Sequence, residues 1–275
     1  MKITKEVITS RKNPLILLAA SLAEKKYREQ NGLFLAMGHK LCHEAVATGA
    51  PVAHVILSEE YAARHIDEVS AEFSAECYRD TPLTVVSEGC FEKITTEKAP
   101  DGIILLIKHL DISKKYNKID NEIFKGLGRA ILLSSIRDPG NLGTILRSAG
   151  AFGASAVILS DDCADVYHPR AVRAAMGAVF RVPTVRVFDA VAAVGALRAC
   201  GRRVYAAELR DGALPLDEIN TASSDVFIIG NEGHGIPVEL SAACNGSVYL
   251  PIAPEAESLN AAAAAAILLW EQAKI

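Results

Sequence analysis

Three clusters of polar and glycine residues in the second half of the chain carry what chemistry the sequence offers. Each sits where an apolar run gives way to a helical pattern. The first runs Arg137-Asp138-Pro139-Gly140-Asn141-Leu142-Gly143-Thr144-Ile145-Leu146-Arg147. Asn141 is a good N-cap for the helix that follows, and Arg147 lies two turns into it. Taken alone, Arg147 also fits a surface ion pair. The second cluster is Gly230-Asn231-Glu232-Gly233-His234-Gly235-Ile236-Pro237. Its glycines let backbone amides and carbonyls approach a ligand with no Cβ in the way, and Pro237 suits the first turn of the next helix. A plain glycine-rich turn would look the same. The third cluster is Leu250-Pro251-Ile252-Ala253-Pro254-Glu255-Ala256-Glu257-Ser258-Leu259-Asn260. Its prolines hold an extended loop, Ser258 can cap the final helix, and Asn260 can bond a ligand or backbone. The second cluster is not GxGxxG and lacks the Walker lysine, which argues against dinucleotide and ATP chemistry.

The elements that must position these loops alternate in type. Apolar runs predict strands at Ala130–Ser135, Ala156–Leu159, Thr184–Phe188, Arg203–Ala206, Val226–Ile229 and Val248–Pro251. Helices are predicted at Leu142–Phe152, Pro169–Val179, Ala190–Cys200, Val238–Ala243 and Leu259–Ala273. Near-continuous apolar strands such as Val226-Phe227-Ile228-Ile229 predict a mainly parallel sheet with helices on both faces. Such sheets bind ligands at the carboxyl ends of their strands, where all three clusters fall. The first half is a second α/β alternation, with a helix predicted over residues 12–28 and strands at Leu33–Ala36, Val52–Leu57, Thr84–Val86 and Gly102–Ile107. The expected organisation is a small α/β domain over residues 1–110, a polar linker over 111–128 and a second α/β domain over 129–275.

The chain of 275 residues is half hydrophobic, enough for two cores, and carries a net charge of −4. That charge does not advertise a nucleic-acid binder, but its distribution is uneven. Residues 1–28 hold Lys2, Lys5, Arg11, Lys12, Lys25, Lys26 and Arg28 against Glu6 and Glu24. A local patch of this kind binds phosphates whatever the whole-chain charge, though a solvated helix face would show the same residues. The six cysteines are scattered and show no CxxC pair, which predicts reduced thiols and no metal site. No secretory leader or membrane-spanning run is visible. The expectation is a soluble, cytoplasmic protein.

Taken together, the three clusters resemble the signature motifs of the SpoU (TrmH-like) RNA 2′-O-ribose methyltransferases, a branch of the SPOUT class. Order and spacing agree over residues 129–275, and His168-Pro169-Arg170-Ala171-Val172-Arg173-Ala174-Ala175-Met176-Gly177-Ala178 resembles the family's segment between motifs one and two. The stretch from Ile8-Thr9-Ser10 to Phe34-Leu35-Ala36-Met37-Gly38 is similar to the L30e-like substrate-binding domain of many members. The resemblance implies an α/β catalytic domain tied into a trefoil knot, a feature otherwise nearly absent from proteins. It implies S-adenosylmethionine as methyl donor, held around Gly230, Leu250 and Leu259 with Asn231, Glu232, Gly233 and Ile252. By the same resemblance, Arg147 and Asn141 belong to the catalytic loop, and Ser258 and Asn260 to the reacting end. Lys12, Lys25, Lys26 and Arg28 are then the candidate RNA contacts. Ribosomal RNA is the favoured partner over transfer RNA, and a homodimer through the C-terminal domain is expected, with no membrane partner. The chain departs from the family at Pro254 and Glu255, where glycines are common, and at Ala261-Ala262.

Two other functions compete with this one. A non-catalytic RNA-binding protein retaining the fold would be favoured by loss of Arg147 or Asn260, and both are present. A nucleotide-dependent oxidoreductase lacks its glycine fingerprint at the first βα turn.

Overall fold

Short apolar runs become strands in both halves of the chain, and the amphipathic stretches between them become helices. The computed structural model describes residues 2–3, 6–96, 99–253, 255–256 and 258–274. Lys5 of the basic patch and Pro254 of the third cluster lie outside the described residues. Two compact units divide the chain: one takes the residues up to Leu110 together with Asp165–Phe180, the other Asp111–Ala164 and the chain from Arg181 onward.

In the first unit the order is β1 (Lys2–Ile3), α1 (Pro14–Ser21), α2 (Lys25–Asn31), β2 (Leu33–Met37), α3 (His39–Ala47), β3 (Val52–Ser58), α4 (Glu59–Glu72), β4 (Pro82–Val86), α5 (Glu88–Ile94) and β5 (Ile103–Lys108). The strands pair in the order β1-β4-β3-β5-β2, with β5 antiparallel to both of its neighbours. Ile16, Leu22, Leu35, Ile56, Phe91 and Leu106 meet in its core.

The single helix expected over residues 12–28 is two helices, broken at Leu22–Glu24. A buried guanidinium satisfies the break. Arg28 Nη1 donates to the carbonyls of Leu22 and Ala23, each at 2.8 Å. Its Nε and Nη2 donate to Asp165 Oδ2 at 2.9 and 2.7 Å. Arg28 is only 1% exposed. Its expected RNA contact is therefore corrected: every one of its bonding nitrogens faces protein, and phosphates have no access to it.

The second unit supplies β6 (Ser113–Tyr116), β7 (Ala130–Leu133), α6 (Pro139–Ala151) and β8 (Ala156–Ser160). α7 (Pro169–Ala175) follows in sequence but belongs to the first unit. The second unit continues with β9 (Thr184–Val187), α8 (Ala190–Ala199), β10 (Val204–Ala207), β11 (Leu214–Pro215), β12 (Val226–Ile229), α9 (Val238–Ala242), β13 (Gly246–Tyr249) and α10 (Ala261–Ala273). Its eight strands run in the order β11-β13-β10-β12-β7-β8-β9-β6, and every pairing is parallel.

Residues 111–128 differ from the linker expected of them. Ser113–Tyr116 form edge strand β6 on β9, and Phe124 is buried in the unit's core. The exposed Lys114 and Lys115 that made the stretch read as linker are typical of an edge strand, where charge discourages further pairing. The helix expected over 169–179 stops at Ala175, because Met176 takes a left-handed φ of 48° and Gly177 one of 86°.

The last helix, α10, packs Leu268 and Leu269 inward. Gln272 is fully buried at its far end, where Nε2 donates to the carbonyls of Ala130 at 3.1 Å and Asp225 at 2.6 Å. Among the described residues no helix is long and apolar enough to cross a membrane.

The segment Asp165–Phe180 joins the first unit through Asp165 and through a ring stack. Tyr167 lies 4.4 Å from Phe34 and 4.5 Å from His109 between ring centroids, and its hydroxyl accepts from the Leu110 amide at 2.9 Å. Removing one member of a buried ion pair strands the other charge. Asp165→Asn should therefore cost about 3–5 kcal/mol in urea denaturation. A loss below about 1 kcal/mol, the range of surface pairs, would mean that the pair does not hold the segment.

Candidate active site at the carboxyl edge of the parallel sheet

Strands β7, β12 and β13 end at one edge of the sheet, and the three polar clusters follow them. β7 and β12 are neighbours, with Leu133 opposite Ile229. The buried Ser134 continues the pairing, its amide donating to Ile229 O at 2.8 Å. Ser135 then turns the chain through a φ of 59°, a conformation that non-glycine residues seldom take. Two groups hold it there. Its amide donates to Ser160 Oγ at 2.9 Å, and its carbonyl accepts from Asn231 Nδ2 at 2.9 Å. Ser160 Oγ in turn donates to Asp162 Oδ1 at 2.6 Å. Partial burial works against ionisation of Asp162, but hydrogen bonds from Ser135 and Ser160 and the nearby Arg137 outweigh it. Its carboxyl therefore sits below its ordinary value.

Asn141 was expected to cap α6. Asp138 does so instead, its carboxylate accepting from the Asn141 amide at 2.8 Å. The pattern Asp-Pro-Gly carried this signal, since Pro139 occupies the first helical turn and the residue before it is the cap. Displacement from the cap frees the Asn141 side chain for other work. Its Nδ2 donates to Glu232 Oε1, and its Oδ1 accepts from Asn260 Nδ2 at 3.1 Å.

Asn260 has a second duty. It, and not Ser258, caps α10, its Oδ1 accepting from the amides of Ala262 at 2.9 Å and Ala263 at 3.4 Å. One carboxamide thus links the loop after β7 to the loops after β12 and β13.

The glycine-rich loop folds on itself. Asn231 and Gly235 exchange backbone hydrogen bonds at 3.1 and 2.9 Å. Asn231 Oδ1 accepts from the amides of Gly233 at 2.9 Å and His234 at 3.2 Å. A Cβ on Gly230 would lie 2.4 Å from the Gly235 carbonyl carbon and 2.7 Å from Ile236 Cγ1. The expected reason for this glycine, room for a ligand, is corrected: the loop's own backbone fills that space. Gly233 is more open, and a Cβ there would meet only Asn231 Oδ1, at 3.5 Å.

The structure brings Asn141, Asn231, Glu232 and Asn260 together. Glu232, Gly233, Ser258 and Arg147 are exposed. Among the described residues, Arg147 and Ser258 make no hydrogen bond to this network. Ile252 and Leu259 are apolar yet each 38% exposed, and Leu250 is half-buried. Lys12, Lys25 and Lys26 are exposed on the first unit. Among the described residues, no three His, Cys, Asp or Glu side chains are grouped to hold a metal. Burial and the Glu208 carboxylate push the Cys244 thiol up to about 11, which favours the thiol over the thiolate.

Residues 128–270 match the model of the SpoU rRNA Methylase family. Residues 13–105 match the MRM3-like substrate binding domain. The chain belongs to the SpoU rRNA methylase family. Among its curated relatives is the 23S rRNA (guanosine(2553)-2′-O)-methyltransferase RlmP of Bacillus subtilis. The two are 32% identical over 96% of this chain and 97% of that one. The human mitochondrial rRNA methyltransferase 3 is 29% identical over 90% of this chain and 69% of its own. An AdoMet-bound rRNA methyltransferase from Sinorhizobium meliloti has a TM-score of 0.82 at 30% identity, covering 99% of this chain and 98% of that one. The AdoMet complex of the SpoU methyltransferase AviRb from Streptomyces viridochromogenes gives 0.77 at 25% identity, with 96% and 98% covered.

If the Asn141 carboxamide joins the loops of this SpoU-family chain, it should be energetically coupled to the Asn260 side chain that it bonds. A double-mutant cycle of Asn141→Ala and Asn260→Ala, read by urea denaturation, should give a coupling of about 0.5–1.5 kcal/mol. Strict additivity would show that the two side chains do not interact in solution.

Proposed function

We propose that this protein transfers the methyl group of S-adenosylmethionine to a ribose 2′-hydroxyl of ribosomal RNA, in the cytoplasm and as a homodimer. The observation that carries the proposal is the Asn141–Glu232–Asn260 network. It draws three loops together at one sheet edge in a chain of this methylase family.

The residues at that edge suit the donor. Leu250, Ile252 and Leu259 offer apolar side chains, two of them exposed, to an adenosyl group and its thioether arm. Backbone around Gly230, Asn231, Glu232 and Gly233 offers amides and carbonyls to its polar parts. When bound, the donor supplies an electrophilic methyl on a sulfonium, and the sulfur leaves as a neutral thioether. The trefoil threading that the family resemblance implies would close these loops around it.

Arg147 holds the other reactant. An arginine stays protonated in proteins, so its role is electrostatic. It steadies the phosphate next to the target ribose and favours the oxyanion as the 2′-hydroxyl loses its proton to solvent or to a neighbouring acceptor. Holding hydroxyl and methyl in line supplies much of the acceleration. Asn141 and Asn260 keep the loops in register, and Ser258 bonds the substrate at the reacting end.

Lys12, Lys25 and Lys26 serve RNA affinity rather than chemistry. The dimer uses α10, whose Ile267 and Trp270 remain 39% and 49% exposed while Leu268 and Leu269 fill the core. Too many apolar residues occur in succession for one buried face.

Mapping 2′-O-methyl positions in ribosomal RNA from a deletion strain tests the activity directly. A methylation pattern unchanged in ribosomal RNA and altered in transfer RNA would reassign the substrate. Arg147→Ala should lower single-turnover methyl transfer by orders of magnitude while S-adenosylmethionine binding survives; an unchanged rate would remove Arg147 from the mechanism. Light scattering should give about twice the 29.3 kDa of one chain, and a monomer at micromolar concentration would exclude the dimer.

A further inference from the structure

A cavity of about 460 Å³ opens in the first unit, where α7 faces β2 and α3. Its floor is apolar: Leu35, Leu41 and Val172 are buried, and the half-buried Met37 lies among them. Its rim carries Arg170 and Arg173, one helical turn apart on α7 and both exposed, so the two point to one side. His168 stands beside them as the N-cap of α7, its Nδ1 accepting from the Arg170 amide at 3.1 Å. A smaller neighbour of about 210 Å³ shares Met37, Leu41 and Arg173, and adds Lys40 together with Glu44 and Asp101. Ala23, on the larger cavity's wall, is followed two residues later by the exposed Lys25 and Lys26.

From this we infer that the larger cavity receives one unstacked nucleotide of the RNA, its base on the floor around Met37 and its phosphate between Arg170 and Arg173. The inference deepens the proposed function and rests on its assignment of an RNA substrate. Volume and lining agree with the ligand. A few hundred Å³ with an apolar body and a few polar groups is the usual form of a small-ligand site. Sequence-specific RNA recognition takes single-stranded loops whose bases are splayed out of the stack and packed on side chains or arginine planes. The polarisable Met37 thioether adapts to any base face, and arginine matches a phosphate in bidentate fashion. The cavity's own unit also matches a substrate binding domain over residues 13–105. The sequence had pointed to Lys12, Lys25 and Lys26 for RNA; the cavity adds a site with shape, where those lysines offer only charge.

Two measurements on the full-length protein test the inference. In the first, a 23S ribosomal RNA transcript carrying 4-thiouridine is irradiated with the wild-type protein, and the cross-linked peptide is identified by mass spectrometry. The expected cross-link falls on Met37 or Leu41; cross-links confined to other surfaces would overturn the assignment. In the second, the Arg170→Gln/Arg173→Gln variant is titrated with the same transcript over a range of salt. Its affinity should fall about tenfold or more, and its log–log salt slope should drop by about one to two units. Donor affinity and the single-turnover rate at saturating RNA should stay those of wild type. Unchanged RNA affinity and slope would overturn the proposal. Failure of the proposed function looks different: RNA would bind and cross-link at this cavity, but no 2′-O-methyl group would appear.

Discussion

Parallel strands deliver their loops to one edge of a sheet, yet strand adjacency does not fix those loops relative to one another. In this chain the fixing falls to side-chain carboxamides: Asn231 bonds the Ser135 carbonyl, and Asn141 reaches two loops at once. Asn141 donates to Glu232 and accepts from Asn260, so loops separated by roughly a hundred residues in sequence share a hydrogen-bond network. The arrangement depends on a division of labour within the first loop. Asp138 takes the helix cap, and Asn141, three residues on, is left to reach outward. Asn260 combines both duties, capping α10 with its oxygen and bonding Asn141 with its nitrogen. The cap of α10 and the registration of the loops are therefore set by the same side chain.

Much of this architecture was legible in the sequence because apolar runs and polar loops alternate cleanly. Val226–Ile229 reads as a buried parallel strand and is one. The edge strands were not legible. Ser113–Tyr116 pairs with β9 through its backbone while its lysines face water, so composition gives no apolar signal there. The site itself was half legible. Residue types at the loops were visible, but the assignment of caps to Asn141 and Ser258 missed Asp138 and Asn260, since several good capping residues stand close together. Ser135 gave no signal at all. Its left-handed backbone is imposed by Ser160 and Asn231, partners that only the folded chain brings near.

Burial decides between readings that charge leaves open. Arg28 sits in a run of basic residues and looks no different from Lys25 and Lys26. Its guanidinium is nevertheless enclosed and bonded to Asp165 and to two carbonyls, whereas the lysines stay in water. Lysine could not replace it, since a point charge lacks the planar fork that meets a carboxylate and two carbonyls at once. Gly230 teaches the same lesson from the opposite side. A glycine in a ligand-facing loop suggests space kept for the ligand, yet here the nearest atoms are those of Gly235 and Ile236.

The first unit also borrows a piece of chain from far downstream. Asp165 and Tyr167, which answer Arg28 and Phe34, are encoded after the first strands of the second unit. A ribosome makes proteins in one direction, and domains ordinarily fold as units while they emerge. This one is denied that order. When residue 110 has left the exit tunnel, the nascent amino-terminal layer still carries an unanswered cation and an uncovered ring. Both answers arrive only after residues 165–180 have themselves emerged. A holding chaperone, or a pause in elongation, would have its opportunity in that interval.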